Sequence, residues 1–127
     1  MNYPKQTILG QPPSKSNTYE IIAKPSKTKL GKSHGSLKKT DALKSYEESF
    51  FMQCSLRRMN ISKRFKLTVY VFFMSDRPDL DNSLKVILDS LQACGAIKND
   101  RLCCEIHARK LIDKNNPRIE FLIEELL

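Results

Sequence analysis

At 127 residues the chain has room for one domain around a single core, read here as spanning residues 1–127. Its 28% charged and 40% hydrophobic residues are those of an ordinary soluble protein, and its longest apolar run, residues 69–74, is far too short to span a bilayer. The net charge of +8 suits a polyanionic partner, RNA included, but equally fits a membrane surface or a merely soluble one, and no basic-then-apolar leader marks a secretory signal, so a cytoplasmic location is expected.

The charge is split. Residues 1–66 hold 14 Lys and Arg against 4 Asp and Glu, whereas residues 67–127 hold 8 against 10. A basic half that docks a polyanion beside an acidic half that holds a cation is what a nuclease needs. The four cysteines, Cys54, Cys94, Cys103 and Cys104, include no CxxC pair and read as reduced thiols.

In chain order, Thr7-Ile8-Leu9 predicts a short strand stopped by Gly10 and Pro12-Pro13. Pro12 to Asn17 is a polar turn, and residues 18–23 a brief extended piece. Residues 24–39 carry Lys24, Lys27, Lys29, Lys32, Lys38 and Lys39 among Pro, Ser and Gly with no acid, which predicts a flexible basic loop. Either it is a solvated linker or it is an arm that DNA orders. Thr40 or Asp41 can cap a helix to about residue 59, with Leu43, Tyr46, Phe50 and Cys54 at helical spacing. From Phe65 to Phe73 the period becomes two, a long strand whose Phe72 points to partial cover on the second face. A second helix starts near Asn82, with Leu84, Ile87, Leu88 and Leu91 as its apolar stripe and Gly95 as its stop. Leu102, Cys104, Ile106 and Ala108 alternate as a strand, residues 113–117 turn, and Ile119, Phe121 and Ile123 form the last strand. The order is βαβαββ, an α/β (α+β) fold with a small mixed sheet and two packed helices.

The chemistry concentrates in Asp79-Leu80-Asp81-Asn82-Ser83-Leu84-Lys85, answered by Asp100. Three carboxylates and an amide are hard oxygen ligands that suit Mg²⁺. Beside a lysine, on a basic protein, they point to metal-assisted cleavage of a phosphodiester. Asp79 and Asp81 stand two apart and face one way if extended. Lys85 follows Asp81 by one helical turn and could stabilise charge on the phosphorus. Asp100 must return to this point. A helix from Asn82 to Cys94 is about 20 Å long at ~1.5 Å per residue. Residues 95–100 reach at most about 20 Å, so closure requires that segment to run back beside the helix. The bland alternative is a helix cap followed by a surface ladder of Asp81, Lys85 and Asp89. Cys103-Cys104-Glu105-Ile106-His107 offers soft ligands, but strand alternation divides them between two faces, against zinc.

At these residues the chain resembles the RusA family of Holliday junction resolvases, the crossover-junction endodeoxyribonucleases of bacteria and prophages. DLDNSLKVILDSLQACGAIKND, from Asp79 to Asp100, is similar to the family's D-x-D-N-x-x-K, its LD-x-L and the Gly before a closing acid. Pro12-Pro13-Ser14 with Asn17 looks like its PPS element. The resemblance implies a RusA-like fold, with Asp79, Asp81 and Asp100 as catalytic Mg²⁺ ligands (Mn²⁺ as a substitute), Lys85 as the catalytic lysine and Asn82 in support. It also implies a homodimer that resolves four-way DNA junctions by paired nicks in recombination and repair. One position departs: members commonly close the motif with two adjacent acids, whereas Asn99 precedes Asp100 here. From the residues themselves, Lys15, Asn17 and the loop lysines are the candidate DNA contacts. The competing readings are a nuclease for other branched DNA and a non-catalytic nucleic-acid-binding protein.

Overall fold

The computed structural model describes residues 3–14, 17–25 and 33–127. In chain order its elements are β1 (Gln6–Leu9), β2 (Tyr19–Pro25), β3 (Ser33–Lys39), α1 (Asp41–Gln53), β4 (Phe65–Phe73), α2 (Leu80–Ala93), a 3-10 turn (Asp100–Leu102), β5 (Cys103–Ile112) and β6 (Arg118–Glu125). Four strands form a mixed sheet in the order β1-β6-β4-β5, and β2 pairs with β3 as a separate two-stranded ribbon. The observed order is βββαβαββ: the predicted βαβαββ is kept, with the two hairpin strands β2 and β3 inserted before α1.

The added hairpin narrows the predicted basic loop. Tyr19 pairs with Lys39 and Pro25 with Ser33, so Lys24 lies in β2 and Lys38 and Lys39 in β3. Lys, Ser and Gly have little strand preference of their own, and pairing decides here. Lys15, Lys27, Lys29 and Lys32 lie outside the described residues.

Alternation in β4 has the predicted consequence. Phe65, Leu67, Val69, Val71 and Phe73 are buried, and the residues between them are half-buried. Leu43, Tyr46 and Phe50 of α1 and Val86, Ile87 and Leu91 of α2 cover that face, joined by Ile119, Phe121 and Ile123 of β6. Phe50 stacks on Phe121 at 5.9 Å between ring centroids. On the helix-free face the cover predicted for Phe72 is the Arg118 guanidinium, 3.8 Å from the ring centroid. The four cysteines are free thiols.

Both helices depart from prediction at their ends. Thr40 is the N-cap of α1, its side chain accepting from the Leu43 N–H at 3.1 Å. The helix stops at Gln53 rather than near residue 59, because Cys54 turns extended and Arg58 and Asn60 adopt left-handed backbone (φ 65° and 51°). The second helix begins at Leu80 with Asp79 as N-cap, two residues before the predicted start, so Asp81 lies in its first turn. Its buried stripe runs through Ser83, Val86, Ile87, Ser90 and Leu91, while Leu84 and Leu88 sit on the flank. Gly95 ends α2 as predicted, at φ +77°. A Cβ there would also sit 3.3 Å from the Arg58 Cα, so the close crossing itself calls for glycine.

β4 and β5 pair in parallel. Parallel neighbours need a crossover, and α2 supplies it. Asp79 thus lies just after β4 and Asp100 just before β5, on the same βαβ unit.

Candidate active site

Asp79 leaves the loop in extended conformation and caps α2 only by position, since its side chain makes no cap hydrogen bond. Its carboxylate accepts instead from the Asn82 side-chain amide at 3.3 Å. Pro12, Pro13 and Ser14 line a small cleft together with Asp79 and Asn82. The Met74 N–H donates to the Gln11 side-chain carbonyl at 2.8 Å, which ties that Pro-rich segment to the end of β4. Asn17 completes the turn, its N–H donating to the Ser14 carbonyl at 2.9 Å.

Asp81, Lys85, Asp89 and Gln92 follow one another along the outer face of α2. The Lys85 ammonium donates to Asp89 at 3.0 Å and lies 3.6 Å from Asp100. Asp100 therefore does return across the helix. It is held by its own N–H donating to the Gln92 side chain at 2.9 Å. The segment before it is fixed by the Lys98 N–H donating to the Ile61 carbonyl at 2.9 Å. Asn99, the residue standing where an acid is common, caps the 3-10 turn by accepting from the Arg101 N–H at 3.0 Å. The carboxylate of Asp89, with a smaller contribution from Asp100, raises the Lys85 pKa above its ordinary value.

Between α2 and the hairpin lies a cavity of about 400 Å³. Tyr19, Leu43 and Val86 form its apolar side and Asp81, Asn82, Lys85 and Asp89 its polar side. Lys39, one of the candidate DNA contacts, is engaged by Glu47 at 2.8 Å, which raises its pKa. Lys38 and Asn17 are exposed.

The sequence profile described as endodeoxyribonuclease RusA matches residues 13–124. The chain belongs to the RusA family. It is therefore a nuclease of the phosphodiester-hydrolase class. No curated protein matches it. The RusA match takes in Pro13, the hairpin, both helices and the whole of the 79–100 segment. Among the described residues no helix is long and apolar enough to cross a membrane.

RusA nucleases generally depend on a divalent metal. By donor chemistry Asp79, Asp81, Asp100 and the Asn82 carbonyl fit a hard cation such as Mg²⁺. By arrangement they form no cage: among the described residues no three acidic, histidine or cysteine side chains stand close enough to hold an ion. What comes together is Asp100 with Lys85, and Asp79 with Asn82.

Sequence reasoning named Asp89 only in the alternative of a surface ladder or as a structural residue, and overlooked Gln92, the residue that fixes Asp100. Their i+4 and i+7 spacing from Lys85 was the available signal.

Proposed function

We propose that this RusA-family chain is a Mg²⁺-dependent, structure-selective endodeoxyribonuclease that resolves Holliday junctions by paired nicks. It acts as a homodimer in DNA recombination and repair, in the cytoplasm of a bacterium and encoded by host or prophage. A two-fold dimer suits a two-fold junction. The observation that carries this reading is the return of Asp100 across α2 to Lys85. It draws the later acid to the helix that bears Asp79 and Asp81.

Asp79, Asp81 and Asp100 would hold Mg²⁺, or Mn²⁺ in its place, which when bound polarises the phosphate and acidifies an attacking water. Lys85 offers a fixed positive charge to the phosphorus as negative charge builds there. Asp89 holds that ammonium in place. The Asp79 side chain leaves the first-turn N–H groups of α2 uncapped, open to a DNA phosphate. Lys24 and Lys38, with Lys15, Lys27, Lys29, Lys32 and Asn17, would contact phosphates further along the strand.

The test is incubation of the purified protein with a labelled four-way junction in Mg²⁺ and in EDTA. Paired symmetric nicks in Mg²⁺ alone are expected. Preferential cutting of flaps or forks would shift the substrate to other branched DNA, and an absence of cutting in either metal would leave only a binding protein. Asp81→Asn is expected to bind junctions and to cut them at least about 100-fold more slowly. Wild-type cleavage by that variant would remove Asp81 from the site.

A further inference from the structure

Residues 49–75 contain Arg57, Arg58, Lys63, Arg64 and Lys66 and no acid. Folding adds two more cations to most of this run. The Arg58 N–H donates to the Cys94 carbonyl at 3.0 Å, the Asn60 N–H to Gly95 at 2.8 Å and the Lys98 N–H to Ile61 at 2.9 Å. These bonds lock the segment after α1 against the segment after α2, with Ile61 and Ile97 in a parallel bridge. Arg57, Arg58, Lys63, Arg64, Lys98 and Arg101 thereby share the C-terminal end of α2, all exposed. None of the six forms an ion pair among the described residues, whereas Lys39, Lys85, Lys110 and Arg118 all do. The Arg57 and Arg58 guanidinium groups lie 5.6 and 5.5 Å from the Phe51 ring centroid, so they are held rather than free to splay. An uncompensated positive cluster on fixed backbone repels itself unless a polyanion covers it.

We propose that this patch is a second DNA-binding surface, which grips the phosphates of a duplex arm leading away from the active site. The inference rests on the nuclease reading above and adds the path of the substrate. The 14 residues of α2 separate the patch from Asp79 and Asp81. At ~1.5 Å per residue that is about 20 Å, or about six base pairs at ~3.4 Å per step. The patch meets the arm about half a turn from the cut, and Arg101, next to Asp100, is its link to the site.

The test uses the full chain with Lys63→Ala, Arg64→Ala and Lys98→Ala combined, three exposed residues outside the proposed catalytic set. Junction binding is measured in EDTA over a range of salt, on arms of about 15 base pairs and on arms of about four, shorter than the ~20 Å reach. On long arms the slope of log K against log salt is expected to shrink by about 2.7, near 0.9 for each of three lost contacts. On short arms wild type and variant bind alike, and single-turnover cutting at saturating protein is unchanged. An unchanged slope on long arms overturns the patch, as does an equal loss on both substrates. Ethylation interference on the unaltered protein gives a second reading free of any folding defect. It should mark phosphates about six base pairs from the cut, at the ~3.4 Å spacing used above, and their absence counts against the patch. A wild type that binds DNA without cutting junctions, beside a variant that loses affinity, overturns the nuclease reading and leaves the patch standing. A wild type that binds no DNA overturns both.

Discussion

Two carboxylates hold Lys85, the residue proposed to face the phosphorus. Asp89 at 3.0 Å and Asp100 at 3.6 Å push its pKa above 10.5, so it stays cationic through the neutral range and cannot serve as a general base. In the proposed mechanism it supplies charge. With the folded pKa raised, the pair's stabilisation is complete below the unfolded pKa of 10.5 and is lost only as pH rises through the folded value. Lys85 is largely exposed, so that contribution to stability is small. The effect on the site is larger. Asp89→Asn is expected to lower the Lys85 pKa towards 10.5 and to slow cutting by about 10-fold, at the low end of what a lost supporting contact costs. Titration of the Lys85 ammonium by NMR reads the first effect directly. An unaltered titration curve would show that Asp89 does not hold the ammonium.

At the scale of elements, Thr40 does two jobs. Its hydroxyl accepts from the Leu43 N–H to start α1 and donates to the Asn17 carbonyl at 2.7 Å, while its own N–H reaches the Thr18 carbonyl at 2.9 Å. Thr40→Ala is expected to cost about 1 kcal/mol in denaturant unfolding, with Thr40→Ser recovering most of it. An Ala variant as stable as wild type would mean that neither bond matters. The elements that sequence predicted well were those with one strong period: β4, β6 and the body of α2. The hairpin strand β3 was hidden because nothing in Ser33–Lys39 alternates apolar with polar. The end of α1 was hidden because Arg58 and Asn60 take left-handed backbone, and the bonds that hold them come from a segment some thirty-five residues away. The site divides in the same way. Asp79, Asp81 and Lys85 are neighbours in sequence and could be read as a unit. A comparison of helix length with chain reach shows only that Asp100 can return; that it lands on Lys85 depends on the packing of the segment before it. Gln92 carried only the signal of its i+7 spacing from Lys85, since its part depends on where Asp100 lands. The basic patch draws on two separated segments and was missed for that reason.

For the molecule as a whole, the division of charge read from the sequence becomes a spatial plan. Tyr19 of the hairpin shares a cavity with Asp81, Asn82 and Lys85 beside α2, and the arginine-rich patch lies at the end of that helix. The parallel pairing of β4 with β5 has a further consequence, in time rather than space. Asp100 cannot reach Lys85 until α2 has formed and the strands on either side have joined, a long-range step that folds slowly. Helical signal should therefore recover ahead of DNA cutting when the denatured chain is diluted into buffer with Mg²⁺. Simultaneous recovery of the two would refute that order. If the proposed site is the cutting site, a chain caught part-way is harmless until β4 and β5 have joined.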